Sequence, residues 1–192
     1  MNRQLPLVLQ LDIAGNPQQW ITYETSAYHM AKGNVGWSMG EVDFDIHGGT
    51  NAKTGLQSVL TINTIIAIKG HVSQKAMKHY NRVPLNNQTL FRRDQHICGY
   101  CGSGPTKHNK MTRDHVTPTC QQGLNAWMNV VTACEDCNKT KGGRTPEEAH
   151  MPLLYVPYVP NRSEWLILQN RTILADQMDF LIKKVPSDSR LL

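Results

Sequence analysis

The chain has 192 residues, of which 40% are hydrophobic and 18% charged. That composition excludes wholesale disorder and leaves room for one ordinary domain or two small ones. No apolar run approaches the ~20 residues that cross a bilayer, and Asp12 interrupts the apolar start of the chain, which argues against a signal peptide. A soluble, intracellular protein with no membrane role is therefore expected. The net charge of +5 favours an anionic partner. Its excess is spread thinly, with seven Lys/Arg against five Asp/Glu over residues 1–90, eight against six over 91–150 and five against four over 151–192. Charge alone selects no function.

In chain order, Leu5–Leu11 reads as a strand ending in a turn at Asp12–Pro17, and Thr22–Lys32 as a helix stopped by Gly33. Val35–Met39 and Val42–Ile46 read as short strands, followed by an exposed loop over His47–Gly55. Ser58–Lys69 is rich in Ile, Val and Thr and fits a strand or a buried helix equally well. Asn86–Asp94 predicts a short helix. His108–Thr117 and Trp127–Thr132 predict two strands joined by a loop rich in Pro, Gly and Gln. Cys134 opens a further helical turn, and Thr145-Pro146-Glu147-Glu148 is a capping box that predicts another helix. Three prolines keep 151–160 extended, and a second capping box at Asn161–Glu164 leads into an interrupted helical stripe to Ile182. The expected division is 1–83 as an N-terminal α/β segment, 84–150 as the part carrying the polar chemistry, and 151–192 as a C-terminal extended and helical tail.

Five cysteines without a secretion signal argue against a disulfide framework. Four form two pairs of identical spacing, Cys98-Gly99-Tyr100-Cys101 and Cys134-Glu135-Asp136-Cys137. One such pair fits a thiol redox site as well as a metal site. Two pairs favour a structural zinc ion held by four thiolates. Cys120 is left over.

Between the pairs lies Arg113-Asp114-His115-Val116-Thr117-Pro118, followed by Trp127, Asn129 and Val131, then Asn138-Lys139-Thr140-Lys141-Gly142 directly after Cys137, then Arg144–Ala149. These five elements, in this order, resemble the zinc-containing branch of the HNH endonucleases over about residues 84–150. The spacing of His115, Asn129 and Asn138 is also similar to the HNH domain of RNA-guided DNA nucleases. The resemblance implies an α+β fold with a ββα-metal core clamped by the four-cysteine zinc, and metal-dependent hydrolysis of DNA. It implies further that Asp114 and Asn138 hold a catalytic divalent cation, that His115 activates water, and that Asn129 fixes the loop orienting His115. Arg113, Lys139, Lys141 and Arg144 are implied contacts to flanking phosphates. A homodimer is one route to cutting both strands, and a bacterial or phage setting is implied.

The residue types suit that chemistry. An imidazole titrates near neutral pH and serves as a general base. Aspartate is a hard oxygen ligand of the kind Mg²⁺ or Mn²⁺ prefers. Two departures stand out. Asn138 replaces the eponymous third histidine, which shifts the expected metal preference toward Mg²⁺ or Mn²⁺, and Gln121-Gln122-Gly123 replaces the paired glycines of many relatives. Neighbouring strand residues face opposite ways, so placing Asp114 and His115 in one site requires a bulge or a strand end. Other classes make distinct demands. A non-catalytic zinc DNA-binding module has no need of the Asp114–His115–Asn129–Asn138 set. A redox protein leaves the second cysteine pair unexplained. A ribonuclease would share every catalytic residue.

Overall fold

The structure is a computed structural model describing residues 6–70, 83–187 and 189–191. Two compact units share the chain, one of Met1–Arg82 with Arg162–Val185 and the other of Val83–Asn161 with Pro186–Leu192. The expected tail over 151–192 is thus divided between the two units instead of forming a part of its own.

In the first unit, β1 (Val8–Asp12) pairs antiparallel with β2 (Pro17–Ile21) and parallel with a much later strand, β4 (Gln57–Ile68), giving the order β2-β1-β4-β3. β2 was not foreseen, because its Pro-Gln-Gln start reads as turn. The Leu5 end of the expected first strand lies outside the described residues. The expected helix is α1 (Tyr23–Ala31), capped by the Thr22 side chain accepting from the Thr25 amide and followed by Gly33 at φ +69°.

Two short strands and a loop were expected after it. The chain instead forms one strand, β3 (Val35–Thr50), paired antiparallel with β4. Register shifts between Val35 and Trp37, Met39 and Asp43, and His47 and Thr50 let a single strand carry sequence that reads as interrupted. Gly40, at φ +142°, lies in one of these shifts, where a Cβ has no room beside Thr64 Oγ1.

The strand-or-helix ambiguity of 58–69 resolves as strand, since β4 is hydrogen-bonded on both sides. Ile62, Ile66, Val8, Ile21 and Tyr23 form the core of this unit, each large aliphatic side chain contributing about 1.5–3 kcal/mol by burial. The C-terminal stripe forms α4 (Arg162–Gln169) and α5 (Ala175–Ile182). Buried Gln177 donates through Nε2 to the carbonyls of Leu7 (2.8 Å) and Thr64 (2.9 Å), which fastens α5 to the sheet.

The second unit is built on α2 (Asn87–Arg93), β5 (Met111–His115), β6 (Val130–Cys134) and α3 (Glu135–Lys141). Asn86 caps α2 by accepting from the Thr89 amide at 2.9 Å. The Thr145 capping box does form, with Thr145 N donating to Glu148 Oε2 at 2.8 Å. The helix expected there does not. The chain makes turns over 146–150, His150 takes the left-handed conformation at φ +55°, and Pro152 follows two residues on.

Buried beneath this unit is Arg93, at 0% exposure. Its guanidinium donates to the carbonyls of Trp127 (2.9 Å), Tyr158 (2.8 Å) and Val130 (2.8 Å) and pairs with Asp94. Asp94 in turn accepts from the Thr132 amide at 2.8 Å. One ion pair therefore ties α2, β6, the Trp127 turn and the extended 151–160 segment together. Arg190 lies over the Tyr155 ring at 3.9 Å and near Asp94, bringing the last residues onto the same cluster.

Candidate functional site

Cys98 and Cys101 form a knuckle in the loop after α2. Within it Cys98 N donates to the Ser103 carbonyl at 2.9 Å and Gly102 N to the Cys98 carbonyl at 3.0 Å. Gly102 is in the left-handed region at φ +73°, which a tight turn of this kind requires. Gly99 N donates to the Thr132 carbonyl at 2.8 Å, joining the knuckle to β6. Cys134 is the last residue of β6 and Cys137 lies in α3. The four sulfurs lie within 4.8 Å of one another, and Cys101 and Cys134 are 3.8 Å apart. A tetrahedral ion with Zn–S bonds of about 2.3 Å sets its thiolates about 3.8 Å apart, so the cluster fits such an ion. Burial pushes the Cys98 and Cys137 thiols up, whereas the Ser103 hydroxyl holds Cys101 down at about 6. A divalent cation is the group that lets four thiolates share this volume.

Beside the cluster, β5 and β6 pair without a register shift, from Met111 opposite Cys134 to His115 opposite Val130. No bulge separates Asp114 from His115. Of the two expectations the strand end is the one realised, since His115 is the last residue of β5. Thr112 and Asp114 share one face of the strand, and α3 lies against that face. Asn138 Nδ2 donates to Thr112 Oγ1 at 2.9 Å and to the Arg113 carbonyl at 3.3 Å. One helical turn later, Lys141 Nζ lies 3.2 Å from the Asp114 carboxylate and donates to the His115 carbonyl at 2.8 Å. The strand–helix packing therefore sets Asn138 against Thr112 and the Arg113 carbonyl, and Lys141 against Asp114. With its nitrogen so engaged, the Asn138 amide presents its oxygen for other work.

Tyr100 donates from its hydroxyl to Asp114, and burial together with that carboxylate pushes the Tyr100 phenol well above its usual range. Sequence reasoning missed Tyr100, and its one available signal was its place between two ligating cysteines. The Arg93–Asp94 pair was missed as well, because adjacent opposite charges ordinarily mark a solvated surface.

Asn129 closes the loop that follows β5. Its Oδ1 accepts from the Thr117 amide (2.9 Å), and its Nδ2 donates to the carbonyls of Thr117 (3.0 Å) and Leu124 (2.9 Å). Its own carbonyl accepts from Val116 N at 2.8 Å, so the chain leaving His115 is held from both sides. Gln122 takes a left-handed conformation at φ 65° in that loop, and Gln121 Nε2 donates to the Gly143 carbonyl and to Glu148. His115 Nε2 is buried and has no hydrogen-bond partner among the described residues. An orphaned buried nitrogen costs about 1–3 kcal/mol and requires an explanation.

The four basic residues expected on phosphates fare differently. Lys141 is fully buried and engaged with Asp114 and the His115 carbonyl. It is corrected from a phosphate contact to an internal counter-charge. Arg113 is partly buried and donates to Asn125 Oδ1 at 2.8 Å, bracing the loop, and burial lowers its pKa. Lys139 is exposed and pairs with Glu135 at 2.7 Å one turn back along α3. Arg144 folds onto the C-terminal carbonyls of α3, donating from Nε to Lys141 at 3.2 Å and from Nη2 to Thr140 at 2.5 Å. Lys139 and Arg144 keep an exposed charge.

A family model described as HNH endonuclease matches residues 98–154. No curated protein and no solved structure matches the chain. The matched segment takes in both cysteine pairs, β5, β6 and α3. Residues 98–154 are thus similar to the HNH endonucleases.

Proposed function

We propose that this protein is a metal-dependent endonuclease that hydrolyses phosphodiester bonds of DNA, with a structural zinc in the four-cysteine cluster. The observation that carries the reading is the juxtaposition across β5 and α3. Asn138 is bonded to Thr112, which shares its strand face with Asp114, while His115 ends that strand with a buried Nε2 that has no partner among the described residues.

The donor set suits a hard cation. Asp114 offers a carboxylate oxygen and Asn138 an amide oxygen, the ligands Mg²⁺ and Mn²⁺ favour. When bound, the cation supplies positive charge to the phosphate on which negative charge builds during hydrolysis. The chain's own residues do the rest. His115 Nε2 takes the proton from the attacking water. The Asn129 amide holds residues 116–124, so that the imidazole keeps its position at the strand end. Lys141 neutralises much of the Asp114 charge from within the fold, which leaves only modest affinity for a second cation and makes millimolar Mg²⁺ or Mn²⁺ the expected requirement. Lys139 and Arg144 are the exposed cations available to backbone phosphates. Its proposed setting is the cytoplasm, a reducing compartment in which the cysteines stay out of disulfides and available to the zinc.

End-labelled DNA and RNA incubated with purified protein, with Mg²⁺ or Mn²⁺ and with EDTA, test the reading. Endonucleolytic cutting of DNA that EDTA abolishes is expected. Cutting of RNA alone would reassign the substrate, and no cutting of either would overturn the proposal.

A further inference from the structure

We infer that Tyr100 is a positioning residue that couples the four-cysteine metal cluster to the catalytic cation site, by orienting the Asp114 carboxylate from within the knuckle. This rests on the reading of Asp114 as a ligand of that cation.

The backbone of Tyr100 is fixed by the knuckle itself. Cys98 and Cys101 flank it, its amide donates to Cys98 Sγ at 3.5 Å, and the preceding Gly99 is bonded to β6. Its ring is partly buried, and its hydroxyl donates to Asp114. Asp114 is thereby held by two elements in two different ways. Lys141, from α3, contributes charge at 3.2 Å. Tyr100, from the knuckle, contributes a directed hydrogen bond and no charge. Closing the four thiolates on an ion sets the position of the knuckle, hence of the phenol, hence of the carboxylate. Hydrogen bonds that orient a ligating carboxylate typically govern metal affinity about 10–100-fold.

A merely structural tyrosine would stabilise the knuckle without touching the second cation, and a neighbour separates the two roles. The Tyr155 hydroxyl donates to the Ile97 carbonyl at 3.3 Å and packs on Gly99. It supports the same knuckle with no bond to Asp114.

The test is Mn²⁺ binding to the full-length, zinc-loaded protein without nucleic acid, followed by loss of the free-ion electron paramagnetic resonance signal, for wild type, Tyr100→Phe and Tyr155→Phe. Zinc content is measured on each. Tyr100→Phe is expected to keep its zinc and raise the Mn²⁺ dissociation constant about tenfold or more, while Tyr155→Phe binds Mn²⁺ as wild type does. An unchanged constant in Tyr100→Phe, an equal loss in both variants, or loss of zinc from Tyr100→Phe would each overturn the inference alone. A wild type that binds no Mn²⁺ would instead overturn the cation site on which it rests.

Discussion

Lys141 places its ammonium 3.2 Å from the Asp114 carboxylate, with both side chains withdrawn from solvent at 0% and 6% exposure. A buried pair of this kind adds little over apolar packing, yet breaking it is costly because the surviving charge is left behind. In this protein the surviving charge would belong to a proposed metal ligand, so stability and cation binding meet at one contact.

Lys141→Met keeps the aliphatic stem and removes the ammonium. Asp114 then retains only the Tyr100 hydroxyl, and a loss of about 3–5 kcal/mol in denaturant unfolding is expected. Added Mn²⁺ should restore part of that loss, because a cation bound to the native state alone stabilises it by mass action. A variant as stable as wild type, and no more responsive to Mn²⁺, would show that Lys141 is not the counter-charge described.

Cys98→Ser or Cys137→Ser removes one corner of the thiolate cluster. Binding free energy at such a site is folding free energy, so either variant should lose its zinc and much of the structure around β5, β6 and α3. Elemental analysis and circular dichroism report both. Folded wild-type protein that contains no zinc would contradict the assignment of the metal.

Asn138 is anchored through its amide nitrogen to Thr112 and Arg113, and its backbone follows Cys137. Asn138→Ala should therefore abolish or sharply reduce cleavage while zinc stays bound. Asn138→His should move the metal preference toward Ni²⁺ or Co²⁺, since imidazole suits softer ions. Rates measured across a metal series check both, and an Asn138→Ala enzyme with the wild-type rate and profile would remove this residue from the cation site.

The parts of the fold legible in the sequence are those with local causes. Thr22 and Asn86 announce their helices because a capping side chain acts within three residues. The metal cluster is legible because its ligand spacing is itself a local geometry. Contacts between distant residues were not legible. The parallel pairing of β1 with β4 joins Leu9 to Ile65, and no local pattern encodes it. The Thr145 box illustrates the opposite failure, a correct cap whose helix is cut short by the His150–Pro152 turn. At the site itself, the motif residues were readable from their order, but burial was not. Lys141 reads as a phosphate-binding lysine in a Gly-rich turn, and only the packing of α3 on β5 shows that its charge is spent internally.

His115→Ala gives the most direct measurement of the central claim. The variant removes the proposed base and leaves the cysteine cluster, Asp114, Asn138 and Lys141 in place. With zinc content and melting temperature matched to wild type, its single-turnover cleavage of labelled DNA in saturating Mg²⁺ or Mn²⁺ should fall by about 10²–10⁴-fold. A His115→Ala protein that cuts DNA at the wild-type rate would contradict the account.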